Sequence, residues 1–303
     1  MDKTIKIYTG NCLELFKNIK DNSIDLIIAD PPYNIGKNYG NESDKQDFDE
    51  YINFSKAWLS EAYRVLKKTG TIYVFIGFRF ISYIYQILEN DLHMSFCNWI
   101  CWHYTQGMGR TKGYSPRHDD ILMFTKTTKF TFNLDSIRIP QKYYRKINNM
   151  RGANPGDVWN ISHIHYCQEN RQQHPTQKPE ALMERMILAS SNEHDMVLDP
   201  FSGSGTTLRV CQQLNRSCIG FELNENYVQQ IKNRLEQPFF GFDSVDERML
   251  RIPNDLNNID IRNEYIQNHI KWFLFNHSNK VDEFLENFKI KYKKNNQLSL
   301  FED

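Results

Sequence analysis

The sequence lacks any apolar run near the roughly 20 residues that cross a bilayer, and its first residues, Met1-Asp-Lys-Thr-Ile-Lys6, lack the apolar core of a secretory signal. A membrane role is not expected, and a cytoplasmic location is. Cysteine pairing is absent as well. Cys12, Cys97, Cys101, Cys167, Cys211 and Cys218 are scattered, with no Cys-x-x-Cys spacing. That leaves zinc ribbons and dithiol redox centres without support, so reduced, mostly buried thiols are expected. His163, His165 and Cys167 alternate, yet no second ligand pair stands near them, so no metal is expected. No sign of charge dominates either, with 37 basic and 37 acidic residues. No internal repeat is visible. Apolar residues at 40% and charged residues at 24% are ordinary for a globular protein. The 303 residues suit one large α/β domain with additions, or at most two domains.

The zero net charge hides a local bias. Between Arg110 and Arg151 stand ten Lys or Arg residues and three acids, an excess of seven. A phosphate-binding protein needs a basic face, not a basic whole. A solvated surface usually mixes both signs. Arg110, Lys112, Arg117, Arg138, Lys142, Arg145 and Arg151 are therefore candidate DNA contacts.

Patterning along the chain alternates strands with helices. Strands are expected at 5–8, 24–29, 71–76, 96–104, 121–125, 196–198 and 218–221. Helices are expected at 50–68 with Gly70 as its stop, and at 79–90, 179–190, 206–214 and 225–235. Ile24-Asp-Leu-Ile-Ile-Ala29 is a nearly continuous apolar run, as in a strand buried on both faces. This rhythm implies a largely parallel, doubly wound sheet. Two stretches depart from it. Residues 126–177 are polar, basic and aromatic, and read as an inserted arm. Residues 238–295 carry helical spacing at Tyr265, Ile266, Ile270, Phe273 and Leu274, followed by an Asn/Lys tract (291–297) that reads as a flexible tether.

Two motifs carry chemistry. Leu198-Asp-Pro-Phe-Ser-Gly-Ser-Gly-Thr-Thr207 follows a strand and opens a helix. Gly203 and Gly205 allow a tight turn and close approach to a ligand. Free N–H groups of the helix start lie behind them. Glu222 ends the next strand, where a carboxylate can bind ribose hydroxyls. The third glycine of the dinucleotide fingerprint is missing, as is the Lys-Ser/Thr of a phosphate loop, so a nucleoside without a pyrophosphate fits best. The second motif is Asp30-Pro-Pro-Tyr33, at the end of a buried strand. Asp30 can accept a hydrogen bond from an amino group. Pro31 and Pro32 stiffen the backbone, and Tyr33 offers a flat face to a base flipped from the duplex.

Taken with His174-Pro-Thr-Gln-Lys-Pro179, these motifs resemble the signatures of β-class, circularly permuted amino-group DNA methyltransferases of bacterial restriction-modification systems. The order is catalytic motif, variable basic region, cofactor loop, and the resemblance covers about residues 5–236. It implies a Rossmann-like, doubly wound, seven-stranded, mostly parallel sheet. The expected layout is a catalytic half (1–125), a target-recognition insertion (126–173), a cofactor half (174–237) and a helical extension with a flexible tail (238–303).

The resemblance also implies S-adenosylmethionine as methyl donor. The backbone around Phe201, Gly203 and Gly205 would hold its methionine part, Lys178 would reach its carboxylate with His174 and Thr206 nearby, Glu222 would bind its ribose, and Asp199 would be a further contact. Asn11 and Cys12 stand where an adenine contact is expected. Asp30, Pro31, Pro32 and Tyr33 would be catalytic, and Asp30 would touch the cofactor as well. Asp at the head of that tetrapeptide favours the N6 amino group of adenine. The alternatives are the N4 amino group of cytosine, an inactive DNA-binding protein, and a methyltransferase acting on RNA or protein. Duplex DNA is the expected partner. A cognate restriction endonuclease and a homodimer are further candidates. Gln297-Leu-Ser-Leu-Phe301 resembles the short peptides that dock on the bacterial β sliding clamp, with Gln297, Leu298, Leu300 and Phe301 as contacts.

Overall fold

The computed structural model describes residues 3–37, 44–104, 109–139, 152–164, 176–239, 290–293 and 297–300. These fall into two compact units, one of residues 1–133 and 156–244, the other of residues 134–155 and 245–303.

The first unit is built on an eight-stranded sheet. Its strands are β1 (Ile5–Thr9), β2 (Ile24–Ala29), β3 (Leu66–Ile76), β4 (Ser95–His103), β5 (His118–Thr125), β6 (Val158–Asn160), β7 (Met196–Asp199) and β8 (Ser217–Glu222), ordered β1-β8-β7-β2-β3-β5-β4-β6. The five strands from β1 to β3 run parallel, and β5 is antiparallel to both β3 and β4. This is one strand more than expected. The addition, β6, pairs parallel with β4 at the sheet edge and comes from the stretch read as an insertion. Its three residues, Val-Trp-Asn, are too short to show a period of two.

The helices are α1 (Cys12–Phe16), α2 (Phe48–Val65), α3 (Ile81–Gln86), α4 (Glu180–Ser190), α5 (Thr206–Gln213) and α6 (Glu225–Glu236). In α2, Tyr51, Ser55, Trp58, Leu59, Ala62 and Val65 are buried, the stripe expected of an amphipathic helix. They pack with α1, α3 and the β2, β3 and β5 side chains in one core beneath the sheet. The helix ends at Val65 and β3 begins at once, so Gly70 lies inside the strand and does not end the helix. A Cβ at Gly70 would meet the Leu66 Cδ1 at 2.6 Å, which explains why glycine sits there. The expected 79–90 helix is instead α3 followed by one π-turn (Ile87–Asp91). On the other face α4 packs on β2 and β3, where the Tyr73 and Ser190 hydroxyls lie 2.8 Å apart, and α5 and α6 cover β1, β7 and β8.

Because β8, β7 and β2 are parallel neighbours, their carboxyl ends bring Glu222, the glycine loop and Asp30 to one edge. Ligand sites of open α/β sheets lie there.

The described part of the second unit is small. Ile139 bridges Ala153, and Arg138 is bound by Asp135 at 2.6 Å and donates to the Gly152 carbonyl at 3.0 Å. Ile290–Lys293 and Gln297–Leu300 form an antiparallel pair. Part of the expected tether, and the expected clamp peptide up to Leu300, are thus strands. The amphipathic positions between 265 and 274 lie outside the described residues, as does Phe301. Among the described residues no helix is long and apolar enough to cross a membrane.

Candidate active site

A cleft of about 680 Å³ opens along the carboxyl ends of β2, β7 and β8. Asn11, Cys12, Asp30, Pro31, Pro32, Tyr33, Lys178, Asp199, Phe201, Gly203, Thr206 and Glu222 all line it. Residues separated by up to 211 positions thus meet as expected. His174 lies outside the described residues.

The cofactor end is organised by backbone. Gly203 and Gly205 adopt φ +51° and +74°, in the left-handed region that favours glycine. The turn aims the Gly203 N–H at Glu222 Oε2 (2.8 Å), and the Asn224 N–H meets Oε1 (2.9 Å). Three backbone N–H groups, of Gly203, Leu223 and Asn224, thus point at the carboxylate, whose four lone-pair sites leave acceptor capacity for a ribose hydroxyl. Burial pushes the Glu222 carboxyl up, against these backbone bonds. Phe201 is anchored by the Trp58 ring at 5.2 Å. Gly205, expected to touch the cofactor, faces elsewhere. It is absent from the cleft lining, and a Cβ there would meet the Ile231 Cγ1 at 2.7 Å. Its part is close packing of the turn on α6. Asn11 caps α1, accepting the Leu13 N–H at 2.9 Å. Its amide oxygen is therefore engaged in local structure. Cys12 is buried, and burial pushes its thiol up to about 12, which makes it inert at neutral pH.

Asp199 is 4% exposed, and burial pushes its carboxyl up to about 7. The Thr207 hydroxyl and the Phe201 N–H oppose that rise, while Asp30 and Glu222 add to it. Because the folded value lies above the unfolded one, this group destabilises the unliganded protein as pH rises from about 4 to 7. A cation in the cleft reverses the preference by favouring the carboxylate. We expect the affinity for S-adenosylmethionine to rise about tenfold per pH unit below 7 and to level above it. Calorimetry from pH 5.5 to 8.5 reads this directly. A flat profile, or the same slope in Asp199→Asn, would remove the assignment.

At the other end of the cleft, Asp30 receives two bonds. The Tyr33 hydroxyl donates to Oδ1 at 2.9 Å, and Lys178 Nζ lies 2.6 Å from Oδ2. Lys178 was expected to reach the cofactor's carboxylate. Here it is paired with Asp30, with the Tyr33 and Phe75 ring centres 5.3 Å and 5.1 Å from its Nζ. Tyr51 on α2 donates to the Pro32 carbonyl at 2.9 Å and fixes the tetrapeptide's backbone. Asn34, at φ +56°, closes the turn with a reciprocal pair to Gln46.

Several participants have no sequence signal. Tyr51 reads as an ordinary core position of a helix. Asp119, at the start of β5, lies close enough to sense both Lys178 and Asp30. Burial raises its carboxyl, Lys178 opposes the rise, and Tyr104 donates to it at 3.2 Å. The pair Asp119-Asp120 ahead of a buried strand was the one available hint. His163 packs edge-on to Tyr104 with ring centres 4.0 Å apart, while His165 and Cys167 lie outside the described residues. No group of metal-ligating side chains occurs among the described residues.

The basic candidates divide. Arg110 and Lys112 are exposed on the β4–β5 loop, beside Tyr114 at 98% exposure, and Arg117 is half-buried. Asp120 of β5 pairs with Ile76 of β3, so this loop returns at the edge that carries Asp30. Arg138 is engaged within the second unit, as above. Lys142, Arg145 and Arg151 lie outside the described residues.

The fold is that of an α/β enzyme whose glycine loop, Glu222 and Asp30 share one cleft. The N6/N4 methyltransferase model, described as DNA methylase, matches residues 24–233, and the chain belongs to that family. It is 62% identical to the Type II methyltransferase M.HpaI of Haemophilus parainfluenzae, over 95% of this chain and 92% of that protein. It is 38% identical to the DNA adenine methyltransferase YhdJ of Escherichia coli (strain K12), over 76% and 82% of the two chains. Among solved structures it resembles the M1.HpyAVI–SAM complex, with a TM-score of 0.57 and 28% identity, covering 77% of this chain and all of that one.

Proposed function

We infer that this protein transfers a methyl group from S-adenosylmethionine to the N6 amino group of adenine in duplex DNA, within a restriction-modification setting. The observation that carries this is Asp30, held by Lys178 and Tyr33, in one cleft with the glycine loop and Glu222. The residues present fit the cofactor. Asp199 and Glu222 suit its cationic groups and ribose, and Phe54, Phe201, Phe221 and Leu223 supply apolar lining. Bound there, S-adenosylmethionine supplies an electrophilic methyl group.

The chain's own residues do the rest. Asp30 and the Pro31 carbonyl accept the hydrogens of the base's amino group and stabilise the positive charge that develops on its nitrogen. Tyr33 lends its ring to the base while its hydroxyl orients Asp30. No protein nucleophile is needed. Asp at the head of the tetrapeptide supports adenine over cytosine, as does a relative named for adenine methylation. Sequencing methylated genomic DNA from a host expressing this chain should find one adenine modified in a fixed sequence. Modified cytosines, or no modified base, would sink the reading.

For the duplex we propose that Arg110 and Lys112 contact phosphate. Changing both to alanine should weaken binding uniformly across sequences and lower the slope of log affinity against log salt by about 2. Fluorescence anisotropy at several salt concentrations measures it, and an unchanged slope would exclude this loop.

A cytoplasmic location, a cognate endonuclease in the same system and a homodimer are parts of the same proposal. So is docking of Gln297, Leu298, Leu300 and Phe301 on the β sliding clamp. Because Gln297–Leu300 is paired in a strand, that peptide would have to leave its partner to bind an edge or groove elsewhere. Equal recovery of the clamp with and without the last seven residues would remove the idea.

A further inference from the structure

Arg234 lies on α6 and is 3% exposed. A helix-borne arginine usually projects into solvent along its aliphatic stem. This one turns inward. Its Nη2 binds Glu180 Oε1 at 2.7 Å, and Glu180 is the first residue of α4 and itself buried. Its Nη1 donates to the Ser204 carbonyl at 2.9 Å and to the Thr206 hydroxyl oxygen at 3.1 Å. The Thr206 hydroxyl in turn donates to the Lys178 carbonyl at 3.1 Å. Lys178 then holds Asp30 at 2.6 Å.

These bonds tie α6 and the glycine loop to the Lys178 backbone, and the Lys178 side chain carries the link on to the Asp30 carboxylate. Stability alone does not call for it. Each buried ion costs several kcal/mol in lost hydration, and well-packed apolar pairs often serve the fold as well. What a guanidinium does that an apolar pair cannot is fix three groups from three segments in one plane. Those segments are the start of α4, the loop at Ser204 and the start of α5.

We propose that Arg234, with Glu180, is a positioning residue for methyl transfer. It locks the glycine loop to the Lys178 segment, so that the cofactor cradle and the Lys178–Asp30 pair keep one fixed spacing. This rests on the reading above, in which Asp30 accepts the base's amino hydrogens. Reacting groups misplaced by about 1 Å can cost about 10²-fold in rate, even when the cause lies far from the chemistry.

The test is a double-mutant cycle on the full chain. Arg234→Lys keeps the charge beside Glu180 but loses the fork, and Lys178→Met removes the last member of the series. Arg234→Met with Glu180→Leu, which strands no charge, serves in place of Arg234→Lys should that variant not fold. Thermal unfolding fixes a temperature at which every variant is folded. The expected result is a kcat lowered at least about tenfold by either Arg234 change, with the KM for DNA unchanged. In the Lys178→Met background the same change should cost less than twofold more. Calorimetry with S-adenosylhomocysteine should show weakened binding in both backgrounds, because the loop is loosened in each. A kcat loss that multiplies equally in the two backgrounds would overturn the proposal. So would variants that melt earlier yet keep kcat and affinity. A wild-type protein that transfers no methyl group would sink the functional reading instead, and the calorimetric comparison would still decide whether Arg234 locks the glycine loop.

Discussion

Asp30→Asn should lower kcat about 10²- to 10³-fold, the usual loss when a group that stabilises charge in the transition state is removed. The KM for S-adenosylmethionine should change little, because the glycine loop and Glu222 are untouched. The substitution has a second effect. Lys178 is 6% exposed and loses its paired charge, so its buried ammonium keeps only the neutral amide oxygen and the more distant Asp119 carboxylate. That should destabilise the fold by about 1–3 kcal/mol. Adding Lys178→Met removes the stranded charge and should return most of the thermal stability without returning activity. Activity restored together with stability would mean that Asp30 serves the fold and not the reaction. Thermal unfolding and single-turnover kinetics on the wild type and the two variants separate the two effects.

Gly205→Ala carries the second large effect. The backbone there stands at φ +74°, and the new Cβ would lie 2.7 Å from Ile231 Cγ1 and 2.9 Å from its Cγ2. Ile231 is buried at 1% exposure, so it has little room to yield. Strain and overpacking together should cost about 2–4 kcal/mol. The turn can relieve them only by shifting the loop, which should weaken cofactor binding at least about tenfold. Gly156 provides the control. It has φ +73° but no atom within 4 Å of an added Cβ. Gly156→Ala should show the backbone strain alone, about 1 kcal/mol, with cofactor affinity unchanged. Equal losses at the two positions would mean that packing on α6 contributes nothing.

Much of this arrangement was legible in the sequence because the motifs are local. The apolar run 24–29 announced a buried strand, and Asp30 had to sit at its end. The glycine loop followed a strand and opened a helix, as its spacing required. Neighbouring strands then brought the two motifs to one cleft. What escaped detection depends on long-range placement. Lys178 finds Asp30 across 148 residues, and nothing near either residue signals the pairing. Arg234 sits in a polar helix, where a charge reads as solvated until its burial is seen. Gly205 and Gly203 look alike in sequence, yet only Gly203 lines the cleft, since the turn points one toward the ligand and the other toward α6. The edge strand β6 is three residues long, below the length at which alternation shows. The helix 48–65 passes directly into a strand, so the glycine that would mark a boundary, Gly70, lies five residues beyond its end.

The central claim is that this cleft methylates adenine at its amino nitrogen and that Asp30 accepts the hydrogens. The most direct measurement supplies S-adenosylmethionine labelled in its methyl group to wild-type protein and to Asp30→Asn, with duplex DNA carrying the recognition sequence. The DNA is digested to nucleosides, and the labelled one is identified by mass and retention. Label should appear in N6-methyladenine with the wild type and fall about 10²-fold or more with the variant. Label in N4-methylcytosine, or undiminished label from Asp30→Asn, would contradict that claim.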